Sequence, residues 1–220
     1  QQVQPIRIVE TIPANTWKKI NDSTYIFDFA RNMSGVTRIK VSGEEGTVVK
    51  LKHGERLYDN GRVNTPNIDV YHRPVDDSDP FQTDILILSG KGEDEFMARF
   101  NYKGFRYVEV TSSKPIELQQ NSLTAYFVHS DVPQKGEIST SNPLVNRLWW
   151  ATNNAYLSNL MGYPTDCPQR EKNGWTGDGH FAIETALYNY DGITVYEKWL
   201  ADHRYEQQPN GVLPDIIPTG

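Results

Sequence analysis

Three carboxylates, a guanidinium and an indole fall within 13 residues of one another: Asp166, Arg170, Glu171, Trp175 and Asp178. They lie in Tyr163-Pro-Thr-Asp-Cys-Pro-Gln-Arg-Glu-Lys-Asn-Gly-Trp-Thr-Gly-Asp178, a stretch too rich in Pro and Gly to be helical. These side-chain types suit a polyhydroxylated ligand. Carboxylates accept hydrogen bonds from hydroxyl groups, a guanidinium donates them or fixes a carboxylate, and an indole offers an apolar face to a sugar ring. A carboxyl kept protonated by acidic neighbours can serve as a general acid. The same residues also suit structural duties: Asp178 as a helix cap, Trp175 as a core anchor, Arg170 as the fixed partner of a carboxylate.

The loop needs elements to hold it, and the spacing predicts helices on both sides. Asn142 and Pro143 suit a helix start, and Leu144, Leu148, Ala151 and Ala155 follow at 3–4 spacing, which predicts an amphipathic helix over 143–160. A second helix is expected over 180–189 with Asp178 near its start, and a third over 194–207, ending before Pro209-Asn210-Gly211. The final apolar cluster, Leu213 to Ile217, reaches no obvious element in this reading.

Before Ser130 the signal has period 2. Tyr25, Phe27 and Phe29 alternate, as do Val49, Leu51 and His53, then Phe96, Ala98 and Phe100. Further strand candidates are 39–41, 68–70, 81–88, 105–110 and 123–128, with Gly-rich turns between them. About eight short strands predict a β-sandwich of jelly-roll type. Domain limits of 1–130 and 131–220 follow. The stretch 73–80 reads as a solvated acidic loop, and the charged group His53, Glu55, Arg56 and Asp59 to Arg62 as a hairpin tip.

Composition narrows the partners. The 220 residues carry 22 basic and 28 acidic side chains, a net charge of −6, with no basic patch, which argues against nucleic acid. No run approaches the ~18 apolar residues of a membrane span. The single cysteine, Cys167, excludes a disulfide framework and a cysteine-based zinc site. No metal-ligand spacing stands out, so no cofactor or metal is expected.

The string Pro164-Thr-Asp-Cys-Pro-Gln-Arg-Glu171 with Gly174-Trp-Thr-Gly-Asp178 resembles the signature of bacterial α-L-rhamnosidases, glycoside hydrolase family 78. His53-Gly-Glu-Arg-Leu57, Gln82-Thr-Asp84, Phe100-Asn-Tyr-Lys-Gly-Phe-Arg-Tyr107, Val128-His-Ser-Asp131 and Ser141-Asn-Pro-Leu-Val-Asn-Arg-Leu-Trp149 resemble the same family, in order. The resemblance implies inverting hydrolysis of terminal α-L-rhamnosides, in an (α/α)6 barrel preceded by β-sandwich domains. It implies Glu171 as the general acid, Asp166 and Asp178 as hydrogen-bonding partners of rhamnose hydroxyls, and Arg170 and Trp175 as further pocket residues. Two departures stand out: Glu171-Lys-Asn173 where the family often has Asp-Glu-Arg-Leu, and Gly179-His180 where it often has Ala-Gln.

An inverting enzyme also needs a base about 6.5–9.5 Å from the acid. The resemblance places that base late in the barrel, beyond Gly220. Glu184, on an expected buried face with Phe181, Ile183 and Ala186, is a poor substitute. Twelve barrel helices need on the order of 200 residues. The chain, opening on Gln1, is therefore expected to be a piece of a rhamnosidase that completes its pocket with the remainder of its own catalytic domain, and whose substrate is a rhamnose-containing glycoside or polysaccharide. Family members occur inside cells and exported. A non-catalytic carbohydrate-binding module, or another glycosidase on the same barrel, are the alternatives.

Overall fold

Strands occupy the first part of the chain and helices the last. The strands are β1 (Ile6–Pro13), β2 (Thr16–Asn21), β3 (Thr24–Ser42), β4 (Val48–Gly54), β5 (Thr83–Ile87), β6 (Glu93–Met97), β7 (Lys103–Ser112) and β8 (Leu123–Ser130). A single turn, α1 (Pro66–Asp69), lies between β4 and β5, and α2 (Pro143–Ser158), α3 (Thr176–Asn189) and α4 (Ile193–Glu206) follow the sheet. The computed structural model describes residues 3–69 and 80–218. The acidic loop expected over 73–80 lies, apart from Pro80, outside the described residues. So does Val70, while Ile68 sits in α1 and not in the strand expected there. Contacts divide the chain into two compact units, Glu10–Val128, and Gln1–Val9 with His129–Gly220.

The β unit is one hydrogen-bonded sheet of eight strands in the order β1-β8-β3-β7-β4-β5, with β2 and β6 also paired to β3. β3 joins the whole. Its first half pairs with β2 and β7, and its second half with β8 and β6. Neighbouring residues Tyr25, Ile26 and Phe27 are all buried, so this strand is covered on both faces, which a simple alternation would not give. Between the halves the register with β7 shifts from Asp28 to Met33. Ala30 takes φ 57° there, and Asp28 Oδ1 accepts its backbone N–H at 2.7 Å. Arg106 donates to both Asp28 oxygens at 2.8 Å and fixes the bulge from the neighbouring strand.

Two expectations change here. β6 stops at Met97, whose partner Arg38 ends the ladder, and Phe100 beyond it is wholly exposed. His53, expected at a charged tip, is fully buried in β4 instead. Its Nε2 lies 3.0 Å from Thr37 Oγ1, its Nδ1 3.2 Å from the Gln82 carbonyl, and its ring meets Phe105 edge-on at 4.9 Å. Burial drives its pKa down to about 4, with Asp84 pulling it up and Lys103 pushing it down. The unfolded chain thus binds a proton near pH 6.5 that the folded chain refuses until about pH 4. Stability should fall as pH drops through that window, by at most about 3 kcal/mol. Urea unfolding at pH 7 and pH 4.5 checks this, and His53→Gln should flatten the dependence.

The helical unit begins as the spacing predicts. Asn142 caps α2, its Oδ1 accepting the Leu144 N–H at 2.9 Å, and Pro143 occupies the first turn. The unit's core gathers Tyr156 and Leu160 with Ala186, Tyr190, Val195, Tyr196, Trp199 and Ile217. The expected apolar stripe of α2 is not part of it: Leu144 and Leu148 are about 60% exposed (61% and 59%), and Asn153, Tyr156 and Ser158 are the buried helix residues. Phe181, Leu187, Tyr188 and Leu200 are exposed as well. Nothing among the described residues covers these faces. Glu184, expected on a buried face, is exposed. Near the start of the chain, Gln4 donates to the Asp191 carbonyl at 3.0 Å and accepts from Thr194 Oγ1 at 2.6 Å.

Candidate active site

The loop between α2 and α3 is clamped at both ends. At the first, Leu160 and Pro164 form a β-bridge, and the Thr165 N–H donates to the Asn159 carbonyl at 2.7 Å. At the second, Trp175 bridges Ile216, the Ile217 N–H donates to the Gly174 carbonyl at 2.8 Å, and the Thr176 N–H to the Asp215 carbonyl at 2.9 Å. The apolar cluster near the C-terminus therefore does reach an element. Ile217 is fully buried, and its carbonyl accepts the Trp199 indole N–H at 2.8 Å. A side chain at Gly174 would place Cβ 2.1 Å from the Ile217 carbonyl oxygen, so only Gly fits this approach.

Within the clamps, hydrogen bonds tie the Asp166 carboxylate to the Glu171 backbone through Cys167. Asp166 Oδ1 accepts the Asn173 N–H at 2.8 Å, and Asp166 Oδ2 accepts the Cys167 thiol at 2.8 Å. The sulfur in turn accepts the Glu171 N–H at 3.3 Å. Burial pushes the Cys167 thiol pKa up, and donation to Asp166 adds to the rise. The thiol should therefore be inert: an aromatic disulfide reagent at pH 8 should titrate it fully only after denaturation, and rapid reaction of the folded chain would contradict this environment.

Glu171 itself is held by two predicted neighbours. The Trp175 indole N–H donates to Glu171 Oε2 at 2.9 Å, and Arg170 Nε lies 3.5 Å from Oε1. All three side chains are partly exposed. Asp178 is not a cap. The cap position is Trp175, with no side-chain bond, and Asp178 is the third residue of α3, within its first turn. There its charge faces the positive end of the helix dipole. It is exposed, as is His180.

A cleft of about 290 Å³ opens between α2 and α3. Asp166 and Asp178 both line it; Glu171, Arg170 and Trp175 do not. The remaining lining was not read as a site in the sequence, where Ala155 and Phe181 figure only as apolar helix-face residues. It comprises Thr152, Ala155 and Tyr156 on α2 with its C-cap Asn159, Phe181, Ala182 and Thr185 on α3, and Pro164 and Thr165 on the loop. A signal for it did exist. Residues 152, 155, 156 and 159 fall at i, i+3, i+4 and i+7, and so do 178, 181, 182 and 185, each set marking one helix face. Chemically, two carboxylates, three threonine hydroxyls, an amide and an exposed phenyl ring make a wall that can bind hydroxyl groups and cover an apolar sugar face.

Comparison with known proteins assigns both parts of the chain to families. Residues 18–129 match the family model of the bacterial alpha-L-rhamnosidase concanavalin-like domain, and residues 133–220 that of the bacterial alpha-L-rhamnosidase 6 hairpin glycosidase domain. The alpha-L-rhamnosidase of Streptomyces avermitilis is 34% identical over 98% of this chain, which spans 20% of that protein. Its crystal structure, complexed with L-rhamnose, matches 99% of the chain at a TM-score of 0.86. The alpha-L-rhamnosidase structure from Dictyoglumus thermophilum matches 99% of this chain and 24% of its own, at 37% identity and a TM-score of 0.90. The chain thus spans about a fifth of the length of the curated relatives it matches. With both family models matched in the order of the sheet and the helices, the chain belongs to the bacterial α-L-rhamnosidase family.

Proposed function

We propose that this chain supplies the acid half of an inverting α-L-rhamnosidase site. The observation that carries the reading is the hydrogen-bonded path from Asp166, in the cleft wall, through the Cys167 thiol to the backbone of Glu171. One loop thereby sets the sugar-binding carboxylate and the acid in fixed relation. Asp166 and Asp178 accept hydrogen bonds from rhamnose hydroxyls, and the sugar's apolar face rests against the wall that includes Phe181.

Glu171 protonates the glycosidic oxygen as the bond to the anomeric carbon breaks. Its Oε2 accepts the indole N–H of Trp175, which holds the carboxyl group in position for the transfer. Arg170, 3.5 Å from Oε1, then stabilises the carboxylate that remains. A carboxylate on the opposite side of the ring activates the attacking water, and it comes from a part of the enzyme outside these 220 residues.

The apolar faces left open on α2, α3 and α4 support the same reading. Leu144, Leu148, Phe181 and Leu200 are large and exposed, and a complete (α/α)6 barrel would bury such faces against further helices of the same catalytic domain. In this reading residues 1–130 form a sandwich domain and 131–220 open the barrel. The substrate is a glycoside or polysaccharide ending in α-L-rhamnose.

The test is stereochemical. A full-length enzyme carrying this chain, given an aryl α-L-rhamnoside, should release β-L-rhamnose first, as seen by proton NMR before mutarotation. Release of the α anomer would overturn inversion. The 220-residue chain alone should release no rhamnose, and turnover by the chain, free of contaminants, would place the base within it.

A further inference from the structure

A second cleft lies wholly within the β unit, and nothing in the rhamnosidase reading uses it. It measures about 490 Å³ and is lined by Pro13, Ala14, Trp17, Gln119, Gln120, Asn121, Leu123 and Thr124. The indole of Trp17 stacks on Tyr25 and Phe27, at 5.9 and 6.4 Å between centroids and within about 25° of parallel (21° and 24°). Both partners are fully buried and lie on one face of β3, so they fix the ring while it remains partly exposed at the edge strand β2.

The polar groups around that ring are uncharged and open. Gln120 spends its Nε2 on the Ala14 and Asn15 carbonyls, at 2.7 and 3.2 Å, which fixes the side chain and leaves Oε1 as an acceptor. Among the described residues, the Trp17 indole N–H, the Asn121 amide and the Thr124 hydroxyl have no hydrogen-bond partner. No acidic or basic side chain lines the cleft. Its contents are therefore one immobilised aromatic face, one fixed acceptor, two open donors or acceptors and a free N–H.

From this composition we infer that the cleft binds a neutral sugar residue, one hexose unit of a glycan, independently of the catalytic loop. An indole covers the C–H face of a pyranose, while amides and a hydroxyl both donate to and accept from its hydroxyl groups. A charged ligand would enter without a counter-charge and lose its hydration unrewarded. An apolar one would leave the amide and hydroxyl groups unsatisfied. The stacked Trp17 ring and the anchored Gln120 side chain limit the ordering cost of binding.

The test uses the 15N-labelled 220-residue chain, titrated with L-rhamnose and, separately, with D-glucose, following the Trp17 indole N–H cross-peak. A saturable shift with at least one sugar is expected. Asn121→Ala, an exposed position that leaves the fold intact, should weaken it by about tenfold, equivalent to ~1.4 kcal/mol. Trp17→Ala, which removes the reporter and is therefore followed by titration calorimetry, should abolish the binding, and Asp166→Asn, in the other cleft, should leave the Trp17 shift unchanged. A flat or unsaturable response to both sugars overturns the inference, and so does binding that survives Asn121→Ala unaltered. Loss of the response with Asp166→Asn would assign the signal to the catalytic cleft and also overturn it.

Discussion

Glu171→Gln in a full-length enzyme should lower kcat on an unactivated rhamnoside by about 10³-fold, or ~4 kcal/mol, within the range general acids supply. The substitution is chosen for what it keeps. Gln retains an oxygen to accept the Trp175 N–H, so the side chain stays where the 2.9 Å bond holds it and loses only the transferable proton. The leaving group then separates this role from a structural one. A nitrophenolate departs without a proton, so hydrolysis of a nitrophenyl rhamnoside should suffer far less. If both substrates lost activity equally, Glu171 would not be the proton donor.

Gly174→Ala should destabilise the helical unit by about 3 kcal/mol. The added Cβ would stand 2.1 Å from the oxygen and 2.8 Å from the carbon of the Ile217 carbonyl, both of them backbone and unable to swing aside. Relieving the clash means parting the Gly174–Ile217 hydrogen bond and disturbing the Trp199 N–H bond to the same carbonyl, each worth about 1 kcal/mol. Gly177→Ala is the matched control. It lies three residues on, inside α3, where a Cβ meets nothing within 4 Å, and Ala favours helix by about 0.5–1 kcal/mol. Urea denaturation of the two variants should therefore move in opposite directions. Equal midpoints would mean that the loop clamp bears little of the unit's stability.

Local signals made the helices legible. The Asn142-Pro143 start of α2 needed no tertiary information, and α3 and α4 were placed within a few residues by periodicity and their Gly and Pro boundaries. The site loop was legible by composition, since its residues are consecutive. What failed depended on partners distant in sequence. β1, exposed along most of its length, lacks the alternation of a half-buried strand, and β2 is an edge strand that borrows its place from β3. Phe100 looked like the third beat of an alternation, but β3 had no residues left to pair with it. His53 showed its strand but not its depth, which comes from Thr37, Gln82 and Phe105 gathered from three separate segments. The cleft between α2 and α3 needed both helix faces at once, and Asp178 became part of it because α3 starts one turn earlier than its apolar periodicity suggests.

The 19 residues of β3 pair with four other strands, and every route between the two ends of the sheet order passes through it. Removing this strand would strip both sides of the ladder together, whereas losing β5 or β2 costs one edge. Amide hydrogens where it is paired on both sides, such as those of Ile26 and Ile39, can then exchange with solvent only when the entire unit opens, while those of the edge strands exchange by local fraying. Time spent in the native state, read as deuterium uptake, would accordingly divide the sheet into one slow spine and two fast margins.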